Sequence, residues 1–284
     1  MNKWMANLDD GKSWNTIGVI PSTHNSGAIR PEDNCMCLPW FWAKCQHNSI
    51  ERQLNIGIRG FDLRLIHNEN GIFIGHTILS DLQFSNVLET FKAFLHENPS
   101  EFLFVFIKPD WPTRGNWNFD NVQKMWNDMV EIDNYQNGYK NTIFMNPIIN
   151  IQNILIKHLR GKIIFIPDGR LSQYKNTSLT VTVGTLPMSK FNVCQTWDKR
   201  TFDAAKETIT NFINNECKIC DEDNNNIIQI NVVINPFPPY FVARNMNKWL
   251  LNKLKLETIS HKKLGFVSID FASEHIVRSI LNLS

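Results

Sequence analysis

Two histidines, an arginine, a lysine and two aspartates stand where short apolar runs end. His24 lies in Ser22-Thr23-His24-Asn25-Ser26-Gly27, after the first such run. Asp62 and Arg64 are two apart within Gly60-Phe61-Asp62-Leu63-Arg64-Leu65, so an extended chain turns both to one side of a sheet. His76 closes a third run, Lys108 follows the apolar stretch 102–107, and Asp270 sits in Val267-Ser268-Ile269-Asp270-Phe271. A neutral imidazole can take a proton from an attacking hydroxyl, and a protonated one can deliver a proton to a leaving oxygen. A guanidinium between them can neutralise nonbridging phosphoryl oxygens, bidentately where geometry allows. Together the set suits phosphoryl transfer. Each residue alone has a structural reading: His24 as a turn cap, Asp62 with Arg64 as a core ion pair, Lys108 reaching for solvent, Asp270 as a helix N-cap. Convergence at one rim is what the structural readings would not require.

The elements that must carry these residues alternate. Candidate strands are 16–20, 60–66, 72–76, 102–108, 162–166, 191–195, 228–234 and 265–270, mostly short and rich in β-branched or aromatic residues. Between them lie helical patterns. Ser80 and Gln83 have capping-box spacing, with Phe84, Val87, Leu88, Phe91, Phe94 and Leu95 on one face and Asn98-Pro99 as a stop. Asn150 would cap a second helix carrying Ile151, Ile154, Leu155 and Leu159 inward, with Gly161 closing it. Further helices are expected over 201–213, 241–256 and 273–283, and His67-Asn68-Glu69-Asn70-Gly71 reads as a hairpin turn. Eight strands with mostly helical crossovers predict an α/β fold: an irregular, distorted TIM-type β/α barrel forming one domain over residues 1–284. A doubly wound open sheet is the runner-up, but no Gly-rich phosphate loop follows the first strand.

Composition narrows the functions. The chain has 284 residues, 43% of them hydrophobic and 20% charged, which fits a globular core. With 29 Lys and Arg against 27 Asp and Glu, the net charge of +2 gives no reason to expect nucleic acid as a partner. No apolar run reaches bilayer-spanning length and the first residues lack a secretory pattern, so a cytoplasmic or peripheral membrane location is expected. Cys217 and Cys220 form a lone C-x-x-C without a matching second pair, and Cys35 with Cys37 has the wrong spacing for zinc. Reduced thiols are the simplest expectation.

The stretches IPSTHNSG, SIERQLNIGIRGFDLRL, GIFIGHTIL, FVFIKP, GKIIFIPDGR and GFVSIDF, in that order and spacing, resemble the X domain of phosphatidylinositol-specific phospholipase C, especially the bacterial metal-independent type. The resemblance implies a distorted TIM barrel. It also implies attack of the inositol 2-hydroxyl on phosphorus, releasing diacylglycerol and inositol 1,2-cyclic phosphate. It makes His24 the general base, His76 the general acid and Arg64 the arginine that stands in for calcium. Asp270 becomes the carboxylate orienting the base, Asp62 an acidic position of the site, and Lys108 a lysine of the headgroup pocket.

Three departures accompany it. Asn25 follows the base where the bacterial type has Asp, so no carboxylate is supplied there to hold His76 protonated. An enzyme that is slower, or has a lower pH optimum, is expected. Alignment on Gln195 brings Thr196 and Asp198 to the headgroup wall; a small shift brings Asp198 with Trp197 instead. The pocket arginine would be Arg170, given a small insertion. Because Arg64 would repel a divalent ion, no metal and no cofactor are expected. The partner is a phospholipid in a membrane, met at a peripheral surface by a monomer. Trp111, Phe237 and Tyr240, in Pro-rich segments after strands, are the expected membrane contacts, with 38–42 as a third candidate. The alternatives are a catalytically weakened lipid-binding barrel and a related phosphodiesterase with another headgroup.

Overall fold

The computed structural model describes residues 2–29, 38–76, 78–110, 127, 142–144, 153–168, 191–218, 227–234, 237–254 and 262–282. Nine strands occur among them: β1 (Val19–Thr23), β2 (Gly60–Asn68), β3 (Gly71–His76), β4 (Ile78–Gln83), β5 (Leu103–Pro109), β6 (Ile163–Pro167), β7 (Phe191–Cys194), β8 (Ile227–Asn231) and β9 (Gly265–Ile269). Parallel pairing runs β7-β8-β9-β1-β2-β5-β6, and β3 and β4 extend from the end of β2 as antiparallel strands. Among the described residues β6 and β7 do not pair, so the sheet stays open there. Strand β2 makes the irregularity: it meets β1 only through Gly60 and Phe61, then β3 through Leu65 to Asn68, while its other edge follows β5. Around the sheet lie α1 (Leu38–Ala43), α2 (Ile50–Asn55), α3 (Phe84–Glu97), α4 (Ile156–Leu159), α5 (Phe202–Asn215), α6 (Pro239–Leu254) and α7 (Glu274–Leu281).

Alternation along the strands sorts side chains onto two faces. One face packs on the helices: Phe61, Leu63, Leu65, Leu103, Val105, Ile107, Val267 and Ile269 share a cluster with Leu54, Val87 and Phe91. The other holds a separate cluster of Trp14, Ile20, Phe102, Phe104, Phe106, Ile164, Ile166 and Phe266. Ring contacts tie it together, with Trp14 and Phe104 centroids 4.7 Å apart and Phe104 and Phe266 5.0 Å apart. Extending the inner parity toward the strands' C-terminal ends brings Ser22 and His24, Gly60, Asp62 and Arg64, Lys108, and Ser268 and Asp270 to the same face. Gly60 is required in that series. A Cβ there would collide with the Ser22 side chain across the β1–β2 step.

All eight expected strands overlap observed ones, and the differences have local causes. The first strand starts at Val19 rather than residue 16, because Ser13 caps a 3-10 turn over Trp14–Thr16 by accepting a hydrogen bond from the Asn15 amide. Strand β4 was not expected. Ser80, read as a helix cap, lies in it, and its hydroxyl donates to the Ile74 carbonyl of β3. The helix begins at Phe84 with Gln83 at its N-cap and no side-chain cap, though all six expected residues of its apolar face are buried. Of the expected second helix, α4 retains four residues and starts after Leu155. Asn150 and Ile151 fall outside the described residues. The hairpin turn is as expected: Asn68 pairs with Gly71, the Asn70 amide donates to Asn68 Oδ1, and Gly71 takes φ +125°. No helix among the described residues is long and apolar enough to cross a membrane.

Candidate active site

Strands β1 and β9 pair in register through Thr23 and Ile269, so the next residue of each, His24 and Asp270, emerge side by side. The His24 amide continues the ladder by donating to the Ile269 carbonyl at 3.1 Å. His24 Nδ1 lies 2.9 Å from Asp270 Oδ1. A carboxylate accepts, so Nδ1 carries a hydrogen, and in the neutral imidazole Nε2 presents its lone pair. Arg64 Nη2 stands 3.4 Å from that nitrogen. Asp270 therefore bonds the His24 imidazole rather than capping a helix; Ser273 occupies the N-cap of α7. Both residues are followed by left-handed backbone at non-glycine positions, Asn25 at φ +42° and Phe271 at φ +50°. Such conformations are costly and concentrate at functional sites.

Asp62 and Arg64 share the inner face, as their spacing predicts. Arg64 Nε and Nη2 approach Asp62 Oδ2 at 3.4 and 3.3 Å. The β2–β5 register sets Arg64 beside Lys108, whose ammonium lies 3.3 Å from Asp62 Oδ1. Lys108 is thus held in the cluster rather than reaching for solvent. Burial alone would raise the Asp62 carboxyl, but the Arg64 and Lys108 cations overcome it and hold the group well below the usual carboxylate range. Burial lowers Lys108, with Asp62 opposing the shift; at Arg64 burial also lowers, but Asp62 and Asp110 together outweigh it and the group is raised.

His76, at the end of β3, faces His24 across this cluster, with ring centroids 6.3 Å apart. Its Nδ1 donates to the Ala43 carbonyl at 2.9 Å, leaving Nε2 for the site. Burial lowers its pKa foremost, and the Ala43 bond offsets part of that. Gly27 lets the His24 loop pass β3, since a Cβ there would strike Ile74. Asn25 reaches His76 indirectly: its Nδ2 donates to Cys45 Sγ at 3.5 Å, and that sulfur lies 3.7 Å from His76 Nδ1. Burial, reinforced by Asp270, pushes the Cys45 thiol well up, so it stands there neutral.

His24, Cys45 and Asp270 bring nitrogen, sulfur and oxygen within 4.8 Å of one another. That donor set does not fit a divalent ion. His24 and Asp270 are already bonded to each other, Cys45 resists ionisation, and the Arg64 cation is adjacent.

The expected headgroup wall is less coherent. Thr196 is fully buried, and its hydroxyl joins two backbone carbonyls, Asn231 and Val233, at 2.7 and 2.6 Å. It is a structural tie between β7 and the end of β8, not a pocket residue. Trp197 is 56% exposed, and Asp198 is exposed beside Lys199 at 3.5 Å. Arg170 and Trp111 lie outside the described residues. Phe237 and Tyr240 are exposed, and so are Phe41 and Trp42 of α1. The Phe41 ring touches Trp42 and Phe241, and Tyr240 touches Phe241 and Phe271. This aromatic rim adjoins the cluster directly, since Ala43 ends α1 and Phe271 follows Asp270.

Reading the sequence missed Cys45 and Ala43, which reach His76 through loop packing. It also missed Gln46, whose side chain donates to the His24 and Ile269 carbonyls and fixes the β1–β9 rim. Gln229 and Asn231 lie on the inner face of β8, bonded to each other at 3.1 Å, with Asn231 in register with Ser268. The alternation of Ile227, Gln229 and Asn231 was the available signal for this pair.

Comparison with known proteins bears on the family and the fold. Residues 22–165 match the family model described as phosphatidylinositol-specific phospholipase C, X domain. The chain is 27% identical over 163 residues to a 1-phosphatidylinositol phosphodiesterase of Staphylococcus aureus (strain Newman), covering 57% of this chain and 49% of that protein. It is 30% identical over 168 residues to a protein of the same name from Listeria monocytogenes, covering 58% of this chain and 48% of that protein. The chain thus spans about half the length of the curated relatives it matches. Among solved structures, the phosphatidylinositol-specific phospholipase C of Listeria monocytogenes superposes with a TM-score of 0.78 at 19% identity, over 100% of this chain and 98% of that one. A Staphylococcus aureus counterpart, solved in a study of its membrane binding, gives 0.74 at 20% identity over 100% and 97%. These likenesses establish the irregular TIM-type fold.

Proposed function

The chain belongs to the X-domain family of phosphatidylinositol-specific phospholipase C, and from that premise we propose that it cleaves phosphatidylinositol to diacylglycerol and inositol 1,2-cyclic phosphate without a metal ion. The observation carrying this reading is the pair of oppositely placed imidazoles across Arg64, one with its Nε2 lone pair fixed by Asp270. His24 Nε2 takes the proton of the inositol 2-hydroxyl as that oxygen bonds to phosphorus. His76 Nε2–H gives a proton to the diacylglycerol oxygen as its bond to phosphorus breaks. Arg64 and Lys108 meet the negative charge spread over the nonbridging oxygens, and Asp62 keeps both cations in place. Arrival of an anionic phosphodiester favours the His76 imidazolium that burial otherwise disfavours.

The exposed rings of Phe41, Trp42, Phe237, Tyr240 and Phe241 suit insertion at a bilayer surface beside this site. Vesicles of phosphatidylinositol, incubated with the protein and excess chelator, should release diacylglycerol, while vesicles of phosphatidylcholine should not. Release from neither, with vesicle binding intact, would favour a lipid-binding barrel with weakened catalysis. Release only on adding calcium would contradict the role given to Arg64.

A further inference from the structure

Gln46, in the loop after α1, is fully buried and commits its whole side-chain amide to backbone groups. Its Nε2 donates to the His24 carbonyl at 2.9 Å and to the Ile269 carbonyl at 3.0 Å. Its Oε1 accepts from the Ala272 amide at 3.1 Å. Both Nε2 hydrogens are used, so the group has one orientation; turned over, its oxygen would face two carbonyl oxygens. The main chain of Gln46 is fixed as well. Its amide donates to the Ala28 carbonyl at 3.2 Å, and the residue bridges Ile29 in parallel pairing.

These contacts bracket the two left-handed residues, Asn25 and Phe271. The peptide before Asn25 carries the His24 carbonyl, and the peptide after Phe271 carries the Ala272 amide. Such backbone persists only where its surroundings hold it. One side chain therefore ties the turn after His24 to the turn after Asp270. Other bonds hold one side only. The Phe271 amide donates to the Cys45 carbonyl at 2.7 Å, Asn48 Nδ2 to the Ala272 carbonyl at 2.7 Å, and Asn247 Nδ2 of α6 to the Asp270 carbonyl at 2.9 Å. Gln53 is also buried, but its amide serves Thr23, Ser26 and Asn48, on the His24 side.

We propose that Gln46 is the positioning residue of the His24–Asp270 pair, setting the two so that His24 keeps its hydrogen on Nδ1 and a bare Nε2 toward the substrate. The inference rests on the general-base role given to His24, and one of its two readouts needs no substrate. Nitrogen NMR of histidine-labelled protein, with the His24 signals identified by their loss in His24→Ala, reports the tautomer of the neutral ring. The intact chain should show the Nδ1–H form alone. Gln46→Met matches the length without the amide. Its folded fraction should show both tautomers, and kcat for diacylglycerol release should fall by about ten- to hundredfold with KM changed by less than about twofold. Gln46→Asn keeps an amide one methylene short of its three partners and should show the same pattern more mildly; it decides the matter if Gln46→Met does not fold. Arg59→Met, destabilised at the opposite end of the barrel, should keep the single tautomer and the original kcat. An unmixed tautomer or an unchanged kcat in the folded Gln46 variants would overturn the proposal. So would equal mixing in Arg59→Met, because general loosening would then suffice. Mixing confined to the Gln46 variants, in a chain that releases no diacylglycerol, would support the positioning role and remove the reaction assigned to the pair.

Discussion

Two guanidiniums flank the start of β2, and their surroundings differ. Arg59, just before the strand, is fully buried and saturated. Its Nε and Nη2 meet Glu101 at 2.8 Å, Nη1 donates to the Leu54 and Ile58 carbonyls, and Nη2 also donates to the Asn2 carbonyl. Burial lowers it to about 10, with Glu101 opposing that shift, and it remains a cation at neutral pH. Arg64, further along the same strand, has no contact to Asp62 or His24 shorter than 3.3 Å, and among the described residues it shares the Asp62 carboxylate with Lys108, with Asp110 acting on it as a second anion. The first arginine is closed by the protein at the N-terminal end of the barrel. The second is under-coordinated at the C-terminal end, where barrel folds place their chemistry. An excess of donors over acceptors, in a buried setting, is what a site for a phosphodiester needs before the phosphodiester arrives.

That contrast predicts that variants at one end change turnover and variants at the other change stability. The largest effect belongs to His24→Ala, which should lower kcat by about 10²–10⁴-fold in a diacylglycerol assay. A loss under tenfold would remove His24 from the reaction. Next is Arg59→Met, which strands the Glu101 carboxylate and should cost about 3–5 kcal/mol in urea unfolding. The fraction still folded should keep its kcat; a proportionate fall in kcat would make the two ends equivalent. Arg64→Lys retains the charge but not the planar fork, and should lower kcat by roughly 10²-fold with little change in unfolding. The smallest effect is a displaced pH profile in Asn25→Asp. A general acid must carry its proton, so kcat/KM falls as pH rises through the His76 titration of the free enzyme. Burial sets that limb below an ordinary histidine's. A carboxylate beside Cys45 favours the imidazolium and should move the limb to higher pH. Superimposable profiles would sever the Asn25–Cys45–His76 connection.

The catalytic end was legible because alternation is local. Phe102, Phe104 and Phe106 share the parity of Lys108, and Gly60 shares that of Asp62 and Arg64. Once the apolar members face inward, the polar ones must follow. The capping spacing of Ser80 and Gln83 was equally local and failed, because the Ile74 carbonyl of a neighbouring strand claimed the hydroxyl. Cys45, Ala43 and Gln46 carry no periodic signal at all. They meet the histidines because a loop after α1 folds back onto β1 and β3, and tertiary packing alone decides that. Thr196 shows the opposite error: a residue at a plausible position in a pocket whose hydroxyl the backbone of the next strand consumes.

The central claim is that His24 and His76 act across Arg64 on one phosphorus atom, with the inositol 2-hydroxyl as nucleophile. Phosphorus NMR of phosphatidylinositol in mixed micelles, with excess chelator, tests it most directly. The account predicts growth of a cyclic phosphodiester signal at the expense of the lipid signal, abolished in both His24→Ala and His76→Ala. Direct appearance of an acyclic inositol phosphate with no cyclic precursor, or an undiminished cyclic signal in either variant, would contradict it.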